Sequence, residues 1–484
     1  MSDSASEIAA RRNSAAASDS RTAQTATPQA ASSGVIHNGI AEPEPEGHMN
    51  SPVPPVPAGG GGSARGRSDT FASLRVPAFR ALWWSGIFSF MSIQMQFLLR
   101  SLLAWDLTER EGALGLVYFC FGLALLVSTP LGGVAADRLS KRSLMLVGQL
   151  VLTLTAIGMG AAIATGVIRF WMLLISGGLQ GLMFGLIGPA RISMTTDLVG
   201  RERIGNAITL SSLSMSGSRI FAPALAGVLN AIVFFGLAGA YFVSAAIAAL
   251  SFFLLLPLPD TGTAVSRAAV AAGTAAPVSV ARRNPLVDIA EGVRYARARR
   301  DLRRSILIST AVIMFGFNYI AFMPALVEDV FDRSDIFVAL VSTATALGAV
   351  PAAAYLASRA DSSAAGSMLI GLGFLFGLTV AGLGGAPTIW VAMLIAVGVG
   401  AAATGFMSLG QTLVMRFSDD AHQGRMQSLV QLSFAGFGLA ALPVGVFMEW
   451  VGQRWGLMTM GAAVTVSMLT YVLTAPRTGR SEVA

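Results

Sequence analysis

GALGLVYFCFGLALLVSTPLGGVAADRLSKRS, residues 112–143, decides the fold. Its first twenty residues, 112–131, carry no charge. A helix rises about 1.5 Å per residue, so roughly 20 apolar residues cross the hydrocarbon core of a bilayer. Asp137, Arg138, Lys141 and Arg142 follow at once, and charges of that density belong at a membrane surface. The stretch therefore reads as a membrane helix running into a short charged loop. Working outward, the same unit repeats. Apolar spans lie near 80–104, 112–131, 144–164, 171–189, 207–230 and 232–256, then near 305–327, 335–357, 366–385, 387–409, 425–447 and 456–474. Spans five and six almost fuse around Asn230. The expected fold is an all-α membrane protein of twelve transmembrane helices in two six-helix halves.

Composition agrees. Of 484 residues, 54% are hydrophobic and 12% charged, against about 25% charged in a soluble domain. Mean hydropathy is +0.65. The 53 glycines suit close helix packing in lipid. Cys120 is the single cysteine, which excludes a disulfide framework or thiol metal site. His37 and His48 lie in a polar tail and His422 in a loop, so no buried histidine relay is expected. The net charge of +7 is spread over many short loops, nearly all as arginine, which argues against a nucleic-acid partner. No cluster of nucleophile, base and orienting group appears, nor metal-ligand spacing, nor a phosphate-binding loop. The chain reads as no enzyme, with no cofactor.

Five segments follow from this reading. Residues 1–70, rich in Ala, Ser, Pro and Gly, read as a disordered cytoplasmic tail, within which Met49 is an alternative start. Residues 71–256 form the N-terminal half, 257–304 a cytoplasmic linker, 305–475 the C-terminal half and 476–484 a second cytoplasmic tail. Loop charge sets the orientation, since inner loops are enriched in Lys and Arg. With the N-terminus inside, nine basic residues (Arg138, Lys141, Arg142, Arg191, Arg201, Arg203, Arg359, Arg416 and Arg425) fall in short inner loops, and four (Arg110, Arg169, Arg333 and Arg454) fall outside. The linker adds nine more arginines inside, and Glu328, Asp329, Asp332 and Asp335 make an outer loop acidic. Both termini are then cytoplasmic, and the membrane is the plasma membrane. In the linker, Asn284, Pro285, Asp288 and Glu291 precede Arg294, Arg297, Arg299 and Arg300, the order that suits a helix dipole. Leu286, Ile289, Ala290 and Val293 share a face. An amphipathic basic helix on the inner leaflet is expected, either a lipid-sensing element or a plain tether.

Two six-span halves are the layout of many secondary transporters, with the cargo site between them near the midplane. GGVAADRLSKRS, residues 132–143, resembles the loop 2–3 signature of the major facilitator superfamily: Gly133, Asp137, Arg138, Lys141 and Arg142 match, and Ser140 replaces the usual second glycine. The resemblance implies the major facilitator fold and an inner gate at these residues, since an acid there can pair with a helix N-terminus or with an Arg across the halves. FSFMSIQMQFLLRSLLAWDLT (88–108), GPARISMTTDLVGRERIGNAITLSSL (188–213) and the Gln423–Ser428 loop resemble the bacterial enterobactin-exporter-like branch. That resemblance implies efflux of a small organic compound through the lipid bilayer, driven by an ion gradient. SRIFAPALAG (218–227) resembles the exporter-type signature, with Pro223 and Gly227 kept and Ser218, Ala222 and Ala226 small in place of glycines. This implies a hinge-like seal between halves; ordinary close packing is the other reading. Two departures stand out. Gln180-Gly181 has no arginine upstream, and AYLASRAD (354–361) has Ser358 where an Asp is usual, so the coupling ion stays open. The alternatives to export are an uptake permease of the same fold and a non-transporting sensor or scaffold.

No Asp, Glu or His lies deep in a span; Asp106, Glu449 and Asp137 sit at ends. Candidate cavity residues are Gln96, Arg100, Gln180, Arg219 and Asn318, with Gln149, Gln427 and Gln431 behind them. Arg219 lies halfway along span five, where a charge must meet water, a partner or backbone carbonyls. Arg100 either serves the cavity or snorkels to the outer surface. Each amide either contacts cargo or ties helices together.

Overall fold

The computed structural model describes residues 72–199, 204–232, 236–260, 285–357, 359, 362, 364–419 and 423–474. The expected tails at 1–70 and 476–484, and residues 261–284 of the linker, lie outside the described residues. Among those described every regular element is helical.

A short 3-10 turn, Ala72–Arg75, leads into α1 Pro77–Thr108. Pro77 at the first helical position needs no N–H partner there. Glu109, at φ 48°, ends the helix in the left-handed region. Next come α2 Glu111–Arg138, α3 Lys141–Ala164, α4 Phe170–Val199, α5 Ile204–Ala231 and α6 Gly236–Leu255. The linker supplies α7 Pro285–Ala298. The second half holds α8 Arg300–Gly316, α9 Asp335–Ala357, α10 Ala365–Gly385, α11 Ile389–Arg416, α12 Gln423–Val451 and α13 Gln453–Leu473. Twelve helical segments thus stand where twelve spans were expected. Among the described residues, ten helices are long and apolar enough to cross a membrane, or eleven when the bent run Arg300–Val330 is taken as one span. The remaining segment, α5, is apolar only over Phe221–Asn230, because Ser211, Ser212, Ser214, Ser216 and Ser218 crowd its first half.

Three expectations need correction. Arg191, expected in an inner loop, lies inside α4, buried, with Nη1 3.1 Å from the Leu82 carbonyl. That bond gives the buried guanidinium a partner at the point where hydropathy falls. The loop after span two shrinks to Leu139 and Ser140, since α2 carries on through Arg138, and the Ser140 hydroxyl caps α3 by accepting from the Ser143 N–H at 3.1 Å. The seventh span bends by 48°, where Phe317–Ile320 tightens to a 3-10 turn before Pro324 and a π-helical turn at Leu326–Val330.

Packing repeats between the halves. In the first, α1 packs on α5 and α6, α2 on α4, and α3 on α6 and α4. In the second, α8 packs on α12 and α13, α9 on α11, and α10 on α13 and α11. The halves meet through two equivalent pairs, α2 with α12 and α5 with α9. Glycine makes these approaches possible. A methyl group on Gly122 of α2 would lie 2.7 Å from the Gly438 Cα of α12, and one on Gly227 of α5 would lie 2.7 Å from the Ala339 Cα of α9. Such distances admit no side chain.

The linker helix α7 rests on protein. Ala296 is buried with Leu302, Val414, Met426 and Leu429, and α7 also touches α2. Tyr295 Oη donates to Asp419 at 2.9 Å, and Arg299 pairs with the same carboxylate at 2.8 Å. Ala290 and Val293, half of the stripe expected to face lipid, remain exposed. The side chains of Leu286 and Ile289 lie outside the described residues.

Candidate functional site

On α1, Phe90, Gln94, Phe97 and Leu98 follow the i, i+4, i+7, i+8 spacing of one helix face. This face lines a cavity of about 190 Å³ between the halves, together with Tyr118 and Phe121 of α2, Phe184 of α4 and Pro223 of α5. The second half closes it with Phe317, Tyr319, Phe434, Phe437 and the small residues Ala346, Ala349, Gly400 and Ala403. Aromatic rings link one half to the other. Phe184 meets Phe121 at 6.3 Å, Phe121 meets Phe97 at 4.9 Å, Phe97 stacks on Tyr118 at 5.6 Å, and Tyr118 meets Phe437 at 5.5 Å. Gln94, Ser342, Thr345, Thr404, Tyr118 and Tyr319 are the polar residues of the lining, and no charged residue is among the described lining. A few polar groups in an apolar, aromatic wall are what a small-molecule pocket presents.

The amides singled out from sequence point elsewhere. The opposite face of α1 carries Ser85, Ser89, Ser92, Gln96 and Arg100, all nearly fully buried inside the first half. Ser89 donates to Gln149 at 2.9 Å, Ser92 and Ser244 share a bond of 3.0 Å, and Gln96 donates to Ser92 at 3.1 Å. Gln180 donates to the Ile93 carbonyl at 3.2 Å and accepts from Arg100. Asn318 donates to the Phe437 carbonyl at 3.1 Å. These bonds tie helices within a half, which is the glue reading. Arg100 does not snorkel: it is 2% exposed, bonds the Gln96 carbonyl at 3.2 Å through Nε, and lies over the Phe97 ring at 5.4 Å. The structure thus brings Gln96, Arg100 and Gln180 together behind the cavity wall, and holds Asn318 at the wall's far side. The Arg219, Gln427 and Gln431 side chains lie outside the described ones. Gln94 escaped the sequence reading, although its spacing from Phe90 and Leu98 is the available signal.

Of the gate candidates, Gly133, Asp137 and Arg138 lie on the last two turns of α2, with side chains outside those described. Lys141 pairs with Asp197 at the end of α4, 2.7 Å away. Arg142 bonds the Leu256 carbonyl and lies 3.8 Å from Asp260. Both basic partners are therefore spent within the first half rather than across the halves. Pro223 lines the cavity and Gly227 meets α9, so one turn of α5 connects wall and seam.

The seams lie toward the Arg110 end of the molecule. Arg110 pairs with Glu449 at 3.1 Å, which also accepts from the Gly112 N–H at 3.1 Å. The hydrogen bond and charge of Glu449 raise the Arg110 pKa further above its ordinary value. Asn230 donates to Asp335 at 2.6 Å. Beside that bond, the Asp106, Glu328 and Asp335 oxygens lie within 4.8 Å of one another. Carboxylates so close repel unless they share a proton or cation, so this set could hold either.

The comparisons with known proteins fit this architecture. The sequence model of the Major Facilitator Superfamily matches residues 82–438. YfiS of Bacillus subtilis, an uncharacterized MFS-type transporter, is 25% identical over 389 residues, 77% of this chain and 87% of that protein. The enterobactin exporter EntS of Shigella flexneri is 23% identical over 354 residues, 73% of this chain and 80% of EntS. The staphyloferrin A transporter of Staphylococcus aureus is 25% identical over 277 residues, 56% of this chain and 64% of that protein. Among solved structures, the nucleoside transporter NupG superposes with a TM-score of 0.61 at 14% identity, covering 82% of this chain and 99% of NupG. A bacterial homologue of the lysosomal transporter Spinster, solved inward-facing, gives 0.62 at 14% identity, covering 82% of this chain and 96% of its own. With the family's model matched over most of its length, this chain is a multi-pass membrane transporter, not an enzyme, and belongs to the Major Facilitator Superfamily.

Proposed function

We propose that the protein is a secondary active exporter of a small amphipathic organic compound, working by alternating access in the plasma membrane with both termini cytoplasmic. The observation that carries this reading is the aromatic cavity spanning both halves, which suits a cargo with a large apolar surface. In the orientation set by loop arginines, the Arg110 end is the outer side. The glycine seams and the Arg110–Glu449 pair there hold the outer side closed. The names of relatives favour export, since EntS is an enterobactin exporter. The gate is proposed at Gly133, Asp137, Arg138, Lys141 and Arg142 on the inner side, and at Pro223 and Gly227 in the seam. An ion gradient drives the cycle. The acidic set at Asp106, Glu328 and Asp335 and the inner acid Asp137 are the groups able to carry a coupling ion.

Accumulation of fluorescent amphipathic compounds, compared in cells with and without the protein, tests the reading. Lower accumulation in expressing cells is expected for at least one compound. Protein-dependent gain instead of loss would replace export by uptake. Reporter fusions at Gly262 and Gly385 test the orientation: inside signal at the first and outside at the second are expected.

A further inference from the structure

We propose that Arg100 is an anion-recognition group of the central cavity, so that the cargo carries a negatively charged head on its apolar body. This rests on the cavity being the cargo site.

Arg100 is 2% exposed, and among the described residues no carboxylate pairs with it. Its neighbours are neutral: the Gln96 carbonyl, the Gln180 amide oxygen and the Phe97 ring. The phenol groups of Tyr118 and Tyr241 lie within electrostatic range. A buried charge without a counter-charge is costly, and its persistence in a membrane span marks function. Hydrogen bonds and one ring offset part of that cost but do not neutralise the charge.

One nitrogen of the guanidinium is uncommitted. Arg100 Nη1 is buried and has no hydrogen-bond partner, and the same is true of the Ser176 and Tyr241 hydroxyls. Ser176, Gly177 and Gln180 share a face of α4. Gly177 borders the guanidinium, since a methyl group there would lie 3.6 Å from Nη1, at van der Waals contact. A buried cation with a free donor, and an unpartnered Tyr241 hydroxyl within its electrostatic range, can together serve an anion.

The site lies one ring away from the cavity. Phe97 covers the guanidinium at 5.4 Å, and Phe97 and Tyr118, stacked at 5.6 Å, both line the cavity. Parting these rings joins the charge to the apolar chamber. A cargo with an aromatic body can replace the stacking that Phe97 loses while its anionic group meets Nη1.

The experiment uses purified full-length protein in detergent, with binding read by calorimetry. The probes are 1-naphthoate and its neutral analogue 1-naphthalenemethanol, in gluconate buffer. The wild type is expected to bind the naphthoate about tenfold more tightly than the alcohol, the size of one charge-assisted hydrogen bond. Arg100→Gln should abolish that preference while the alcohol still binds, and Arg100→Lys should keep part of it. Equal binding of the two probes by the wild type would overturn the proposal without any variant. So would an undiminished preference in Arg100→Gln. Chloride, titrated alone and as a competitor, separates an inorganic anion from a cargo head: chloride that binds as tightly as the naphthoate and abolishes its preference would overturn the cargo assignment. Cells that show protein-dependent efflux of neutral compounds alone would leave the export reading standing and this one fallen.

Discussion

Arg100 and Gln180 act as a single unit inside the first half. Gln180 accepts from the guanidinium and donates to the Ile93 carbonyl at 3.2 Å, so Gln180→Leu leaves the buried cation with the Gln96 carbonyl as its hydrogen-bond partner among the described residues. A hydrogen bond to a charged group contributes about 1.5–3 kcal/mol net, and a loss of that size is expected in thermal or denaturant unfolding. Gln149→Leu removes only neutral bonds to Ser89 and the Ala248 carbonyl, for which about 1 kcal/mol is expected. Equal losses in the two variants would show that the charge is not what matters. The sequence signalled that these amides are buried but not which way they turn. On α1 the two faces are interleaved: Ser89, Ser92 and Gln96 turn into the bundle, while Phe90, Gln94 and Phe97 turn to the cavity. In a membrane protein an apolar cavity wall and a lipid-facing surface use the same residues, so hydropathy cannot separate them.

Helices α2 and α12 meet along glycines at equal seven-residue spacing, Gly115 and Gly122 against Gly438 and Gly445. Seven residues are close to two helical turns, which puts each pair on one face. The spacing was legible in the sequence once the partner helix was known, and the partner was not. Gly122→Val forces a branched side chain against backbone 2.7 Å from the first added carbon. Overpacking of this kind costs about 1–3 kcal/mol, and here it falls on the state with the Arg110 end closed. Loss of transport with normal membrane insertion is expected, along with faster labelling of a cysteine introduced at Tyr118 in a Cys120→Ser background; unchanged transport would show that the seam tolerates opening. The linker helix α7 depends on a different contact. Its Arg299–Asp419 pair is half-exposed, and such pairs contribute about 0–1 kcal/mol. Asp419→Asn should leave α7 docked. Ala296 is 6% exposed in an apolar cluster, so Ala296→Asp buries an unpaired charge and should undock the helix. Limited proteolysis at the α7 arginines reads the difference: cleavage in Ala296→Asp and protection in Asp419→Asn are expected. The amphipathic pattern was visible from sequence, but its docking was not, because Ala296 and Tyr295 read as weakly apolar beside Leu286 and Ile289.

At the scale of the whole molecule, the packing repeat between halves explains why the span count could be read without an alignment. Each half buries the same helix pairs, so each needs the same sequence of apolar lengths and charged turns. The bend in the seventh span and the helical course of Arg191 were not legible; at each, a side chain bonds a carbonyl of another helix, Asn318 that of Phe437 and Arg191 that of Leu82. The two seams between the halves, α2 with α12 and α5 with α9, are likewise equivalent under the repeat. A rocking motion that opens one must open the other, since both join the same two rigid bundles. Asn230 and Asp335 mark the end of the α5–α9 seam, 2.6 Å apart at their polar atoms. Paired Asn230→Cys and Asp335→Cys substitutions in a Cys120→Ser background can therefore be joined by a short bis-methanethiosulfonate reagent. The link holds one seam shut, and rigid halves then hold the α2–α12 seam shut as well. Measured against the same double variant before linking, transport is expected to fall after linking and to recover when a reductant cleaves the link, while the reagent should leave the transport level of each single-cysteine variant, whatever that level is, unchanged. Full transport by the linked protein would show that the halves do not move as rigid bodies, and alternating access would then need a local gate within one half.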